Sequence, residues 1–253
     1  MQVAVDRVLA LVHQQTGYTV SVTSRKDLKT HASMITATPD TPVHAVFINP
    51  AYDRCSNYLV ALQAAMILVK WADPKRIPDF VLNAEEMRSA VERFLGDERV
   101  VRFDKTVVLP FIQAICQGLA LQLTSTPVQI LAADWCYKNC PEFEEEQRIH
   151  VRQELRQSSA CLTKEIRQQT PEFVFERNAT MNAAYAAWWA ALSEDTQVLL
   201  PYEFFGFKEK GMKLYGKALS CFQDNPNRYC EVVDSWADVL DMRSWYGWQY
   251  RRG

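Results

Sequence analysis

With 253 residues, 48% of them hydrophobic, the chain is long enough to bury a sizeable core as one large domain or two small ones. A net charge of −2 and a pI near 6.1 exclude a whole-chain electrostatic attraction to nucleic acid or acidic membranes. Seven cysteines, an odd number behind an N-terminus with no signal-peptide pattern, point to reduced thiols in a cytoplasm rather than a disulfide framework, and no run reaches the ~18 apolar residues of a membrane span.

At the N-terminus Val5, Val8, Leu9 and Val12 recur at helical spacing and Gly17 stands where a C-terminal cap falls, which ends the first helix near Thr16. "YTVSVTS", "MITAT" and "VHAVFIN" are short and rich in β-branched residues, and the turn-forming cluster "TPDTP" separates the last two, so three strands are expected with a hairpin between the second and third. After Asn49-Pro50 a strongly apolar helix begins near Cys55 and runs to Trp71. "ADPKRIP" reads as a turn, and "NAEEMRSAVERFLG" as an amphipathic helix with Met87, Val91 and Phe94 on one stripe and Gly96 as its stop. "TVVLPFIQAICQGLALQLTST" and "PVQILAADWCYK" read as a buried helical pair, followed by a long charged helix from Pro141 to about Gln168 whose stripe is Phe143, Val151, Leu155, Leu162 and Ile166. Three further helices are expected over Thr180–Leu192, Lys208–Phe222 and Tyr229–Met242. The whole is an α+β, mostly helical chain: a small N-terminal three-stranded sheet covered by helices in residues 1–140, then a helical domain or subdomain, residues 141–253, packed on it.

Several constellations bear on chemistry. Glu146, His150 and Glu154 fall at i, i+4 and i+8, on one helix face, where two carboxylates around an imidazole can hold a metal or tune a base; the ordinary alternative is a solvated face with ion pairs such as Glu144–Arg148. Cys136 and Cys140 share a helical face with a spacing too wide for a zinc-ribbon pair, and buried inert thiols are the simpler reading. "MNAAYAAWWAAL" sets Met181, Tyr185, Trp188 and Leu192 among alanines, a surface made for close helix packing, with Trp188 or Trp189 left at an edge. The C-terminus "MRSWYGWQYRRG" interleaves Trp245, Tyr246, Trp248 and Tyr250 with Arg251 and Arg252, which either anchor a partner or fold back to cap the core. No glycine-rich phosphate loop and no Gly-x-Ser-x-Gly elbow occurs, and only four histidines exist.

The order of helix, three strands and apolar helix, entered through "FINPAYDRCSNYLVALQAAMIL", resembles the start of zincin-like metallopeptidase domains of the ImmA/IrrE kind. The resemblance implies a His-Glu-x-x-His motif on that helix, with two histidines binding zinc and the glutamate activating its water. Here those positions hold Leu62, Gln63 and Met66, none of which can ligate zinc or act as the carboxylate base. The expectation is therefore a non-enzymatic interaction or regulatory protein on an inactive zincin-like scaffold, with no cofactor, a protein partner, no membrane contact and a cytoplasmic location. Two alternatives stay open: a component of a nucleic-acid-handling assembly using the basic aromatic tail, and an enzyme working at Glu146, His150 and Glu154.

Overall fold

The computed structural model describes residues 2–73, 77–98, 100, 104–224 and 229–251, with the side chains of 222–224 and 251 outside that description. The elements in chain order are α1 (Gln2–Thr16), β1 (Thr19–Ser24), β2 (Ala32–Ile35), β3 (Val43–Ile48), α2 (Ser56–Lys70), β4 (Ile77–Leu82), α3 (Ala84–Leu95), α4 (Lys105–Asn139), α5 (Glu144–Ala160), α6 (Lys164–Gln169), α7 (Glu172–Ser193), α8 (Leu200–Phe204), α9 (Lys208–Asp224), α10 (Tyr229–Leu240) and β5 (Tyr246–Arg251). The fold is α+β and mostly helical, with a three-stranded N-terminal sheet and a helical C-terminal half.

Gly17 adopts φ +76°, a left-handed conformation that suits glycine, and its N–H donates to the His13 carbonyl, which stops α1 where the sequence indicates. In the first sheet β3 is central, parallel to β1 and antiparallel to β2, so the expected hairpin forms with Met34 opposite Val46. Helix α2 is apolar around nearly its whole circumference and is accordingly buried, against α1, α4, α5 and the sheet. Its neighbour His44 is a satisfied core histidine: Nδ1 accepts from the Ala37 N–H at 2.9 Å and Nε2 lies 3.1 Å from Thr16 Oγ1.

Four elements differ from the sequence reading. The expected helical pair is one helix, α4, which carries Pro110 and Pro127 in its interior; its apolar stripe stays in phase across Pro127, and packing on α2, α7 and α10 outweighs the lost backbone hydrogen bond. The long charged helix is broken into α5 and α6 because Thr163 caps a new start, its Oγ1 accepting from the Ile166 N–H at 3.1 Å. Its stripe accordingly holds through Leu162 and fails at Ile166, which is exposed. Both Trp188 and Trp189 are buried on α7, so neither ring is left at an edge.

The fourth difference is a second sheet. Residues 77–82, the end of the expected turn and the unassigned stretch after it, form β4 and pair antiparallel with the tail as β5, with Leu82 opposite Tyr246 and Phe80 opposite Trp248. One continuous core runs from Ala4 to Tyr246 and joins both halves of the chain.

Candidate functional site

The three positions singled out by the zincin resemblance lie deep in α2: Leu62, Gln63 and Met66 are 2%, 7% and 9% exposed. Apolar neighbours on α2 itself, Leu59, Ile67 and Val69, are buried around them.

The Glu146, His150, Glu154 row on α5 divides into two roles. Glu146 is buried and turned to the N-terminus of α2, where its carboxylate accepts from the Tyr58 backbone N–H at 2.8 Å and from Asn57 Nδ2 at 3.0 Å. Cys55, at the cap position, gives no side-chain capping bond, its thiol turning to the Tyr52 carbonyl, so a carboxylate from a distant helix supplies both the cap and the favourable charge at the positive end of α2. With both oxygens engaged, Glu146 is a structural group.

His150 and Glu154 meet a residue that sequence spacing does not reveal. His31, in the loop before β2, places Nδ1 3.1 Å from His150 Nδ1, while His150 Nε2 lies 3.3 Å from Glu154 Oε2, in ion-pair range but without hydrogen-bond geometry. One donor atom from each of His31, His150 and Glu154 lies within 4.8 Å of the other two, and among the described residues this is the group of His, Cys, Asp and Glu side chains so placed. The local sequence explains why His31 is there. Asn49, at the end of β3, donates its backbone N–H to the His31 carbonyl and its Nδ2 to the Leu28 carbonyl, and Tyr52 packs its ring 3.9 Å from the His31 ring. The polar turn Asn49-Pro50-Ala51-Tyr52 thus fastens a loop roughly 20 residues upstream, a link with no periodic signal.

The surroundings of the cluster are polar but incompletely paired. Gln129 from α4 donates to Glu154 Oε2 at 2.7 Å. The hydroxyls of Tyr58 and Tyr185 are buried without partners; Tyr185 approaches Glu154 and Gln129 without closing a well-formed hydrogen bond. Burial and the neighbouring His150 hold the His31 imidazole below its ordinary value. For Glu154, burial pushes the carboxyl up, but the neighbouring His150, with smaller contributions from Tyr185 and His31, outweighs burial and the net shift is downward. The arrangement can share a proton between imidazoles or hold a cation.

The other candidates are structural. Cys136 and Cys140 are both buried, and burial pushes each thiol up, which leaves them poorly nucleophilic. In the C-terminal segment Trp245 is fully buried and stacks on Phe173 at 5.5 Å, Tyr246 stacks on Phe80 at 4.6 Å, and Tyr246 Oη and Trp248 Nε1 both donate to Asp234. These rings cap the core instead of standing free as an interface; only Tyr250 remains exposed, the Arg251 side chain and all of Arg252 lying outside the described residues.

A free surface lies elsewhere, on the first half of α4. Ile112, Cys116, Leu119, Ala120 and Leu123 face inward, whereas Val107, Phe111, Ala114, Gly118 and Leu121 follow helical spacing on the outward side and are all exposed, Val107, Phe111 and Leu121 by 74%, 68% and 61%. Beside this stripe α3 and α4 enclose a mostly apolar groove of about 700 Å³, lined by Leu82, Met87, Val91, Leu95 and Leu109 together with the polar Arg88, Glu92, Gln113 and Gln117. By length and hydropathy α4 is apolar enough to cross a membrane, yet its second half is a core helix.

Comparison with protein-family models, characterised proteins and solved structures gave no match.

Proposed function

We propose that the chain is a non-enzymatic protein-interaction or regulatory protein, built on a zincin-like scaffold without the zincin ligands, that docks a helix of a partner protein along α3 and α4. The observation carrying this reading is the outward stripe Val107, Phe111, Ala114, Gly118 and Leu121, which spans about 21 Å of helix. Exposed apolar stripes of this length beside a groove are unfavourable in water and characteristic of helix-in-groove recognition. Small residues at 114 and 118 suit close approach, and Phe111 and Leu121 are the anchors expected to concentrate the binding energy. The scaffold part of the reading is supported by the order α1, three strands, α2.

The experiment compares the wild type with a Phe111→Glu, Leu121→Glu double variant. Both side chains are exposed, so the variant should keep the wild-type melting temperature while losing a stoichiometric partner captured from the native host. A photo-crosslinker at position 114 should label that same partner. Equal capture by both proteins, or binding of the wild type to lipid vesicles in place of a protein, would overturn the reading.

A further inference from the structure

We propose that His31, His150 and Glu154 form a binding site for a single zinc-class divalent ion, at a place separate from the zincin positions on α2. His150 and Glu154, four residues apart on α5, project from one helix face, and His31 is delivered to them by the Asn49 turn. The 3.1 Å between the two Nδ1 atoms is near the roughly 3.3 Å that separates two ligands of a tetrahedral ion with bonds of about 2.0–2.1 Å. The two imidazoles are borderline donors that favour zinc, cobalt or nickel over magnesium and calcium, the carboxylate adds a hard oxygen that zinc also accepts, and three protein ligands leave a fourth position for water or an incoming group.

The state of the polar atoms gives an independent pointer. Buried polar groups are nearly always paired, yet the Tyr58 and Tyr185 hydroxyls, both buried, have no hydrogen-bond partner, and the charge of Glu154 is felt at both phenols. An ion here, with the water it carries, supplies partners to this side of the core. The neighbours also hold the ligands as such sites require: Gln129 fixes Glu154, and Tyr52 fixes the ring plane of His31. His31 and Glu154 are both partly exposed, which gives the ion a route from solvent. His44, by contrast, spends both nitrogens on Ala37 and Thr16 and has nothing to offer an ion.

The test uses the full chain, stripped with a chelator and titrated with Zn²⁺ and Co²⁺, beside His31→Asn, Glu154→Gln and, as a control for surface histidines, His13→Ala. The expected result is one ion per chain, a rise in melting temperature with zinc, and affinity lowered on the order of a hundredfold or more by either ligand change, since even outer-sphere changes at such sites cost 10–100-fold. His13→Ala should bind as the wild type does. Should a ligand variant fail to fold, the wild-type cobalt spectrum decides. Visible d–d bands without thiolate charge transfer support the site; thiolate bands would move the ion to cysteine and overturn it. Absence of zinc binding, or binding unchanged in folded His31→Asn and Glu154→Gln, would also overturn it and leave a proton shared between the two imidazoles as the role of the contact.

Discussion

Glu146 shows how one side chain can be read correctly in position and differently in purpose. Its spacing from His150 and Glu154 is visible in the sequence, and the three do lie along one side of α5; that its oxygens are taken by Asn57 and Tyr58 depends on a helix almost 90 residues away. Removing the carboxylate leaves a buried backbone N–H unsatisfied at the start of a core helix. Glu146→Ala should therefore cost about 1–3 kcal/mol in denaturant melts, with Glu146→Gln losing less because it can still accept a hydrogen bond. A loss below about 0.5 kcal/mol would mean that water takes over the cap. His31 is the opposite case, a residue with no pattern around it in the sequence whose importance rests on three contacts, each made by a residue distant along the chain.

At the level of elements, local signals survive where a cap or a period marks them. Gly17, Gly96 and strands β1 and β3 end or begin elements where the sequence indicates, β2 lies two residues before the expected MITAT, and the alanine-rich face of α7 is the close-packing surface it suggests. Its partner is Gly211 on α9: a Cβ there would lie 2.5 Å from Ala183 Cβ and 2.6 Å from the Ala183 carbonyl carbon. Gly211→Ala should thus destabilise by about 1–3 kcal/mol from overpacking, although alanine is by roughly 1 kcal/mol the better helix former. A stabilised variant in thermal melts would show that the two helices separate easily. The illegible elements were those decided at a distance. The continuity of α4 through Pro127 comes from its packing partners, and β4 is a strand only because β5 lies beside it.

For the molecule as a whole, the two halves expected at residues 1–140 and 141–253 share one core, and the C-terminal segment is part of it. Deleting residues 244–253 removes Trp245 and Tyr246, each among the larger buried side chains. By area the loss is about 5 kcal/mol or more, and the melting temperature should fall by roughly 10 °C or more. A truncated chain melting within a few degrees of the full one would contradict the capping role. The same β4–β5 ladder also bears on the route by which the chain folds. It joins segments roughly 170 residues apart, whereas β1, β2 and β3 lie within one short stretch, and loop-closure entropy rises with that separation. The N-terminal sheet is therefore free to assemble early, while β4 waits as an unpaired edge able to capture a strand of another molecule. Refolding yield should consequently depend on protein concentration, in competition with the closing of β5 onto β4.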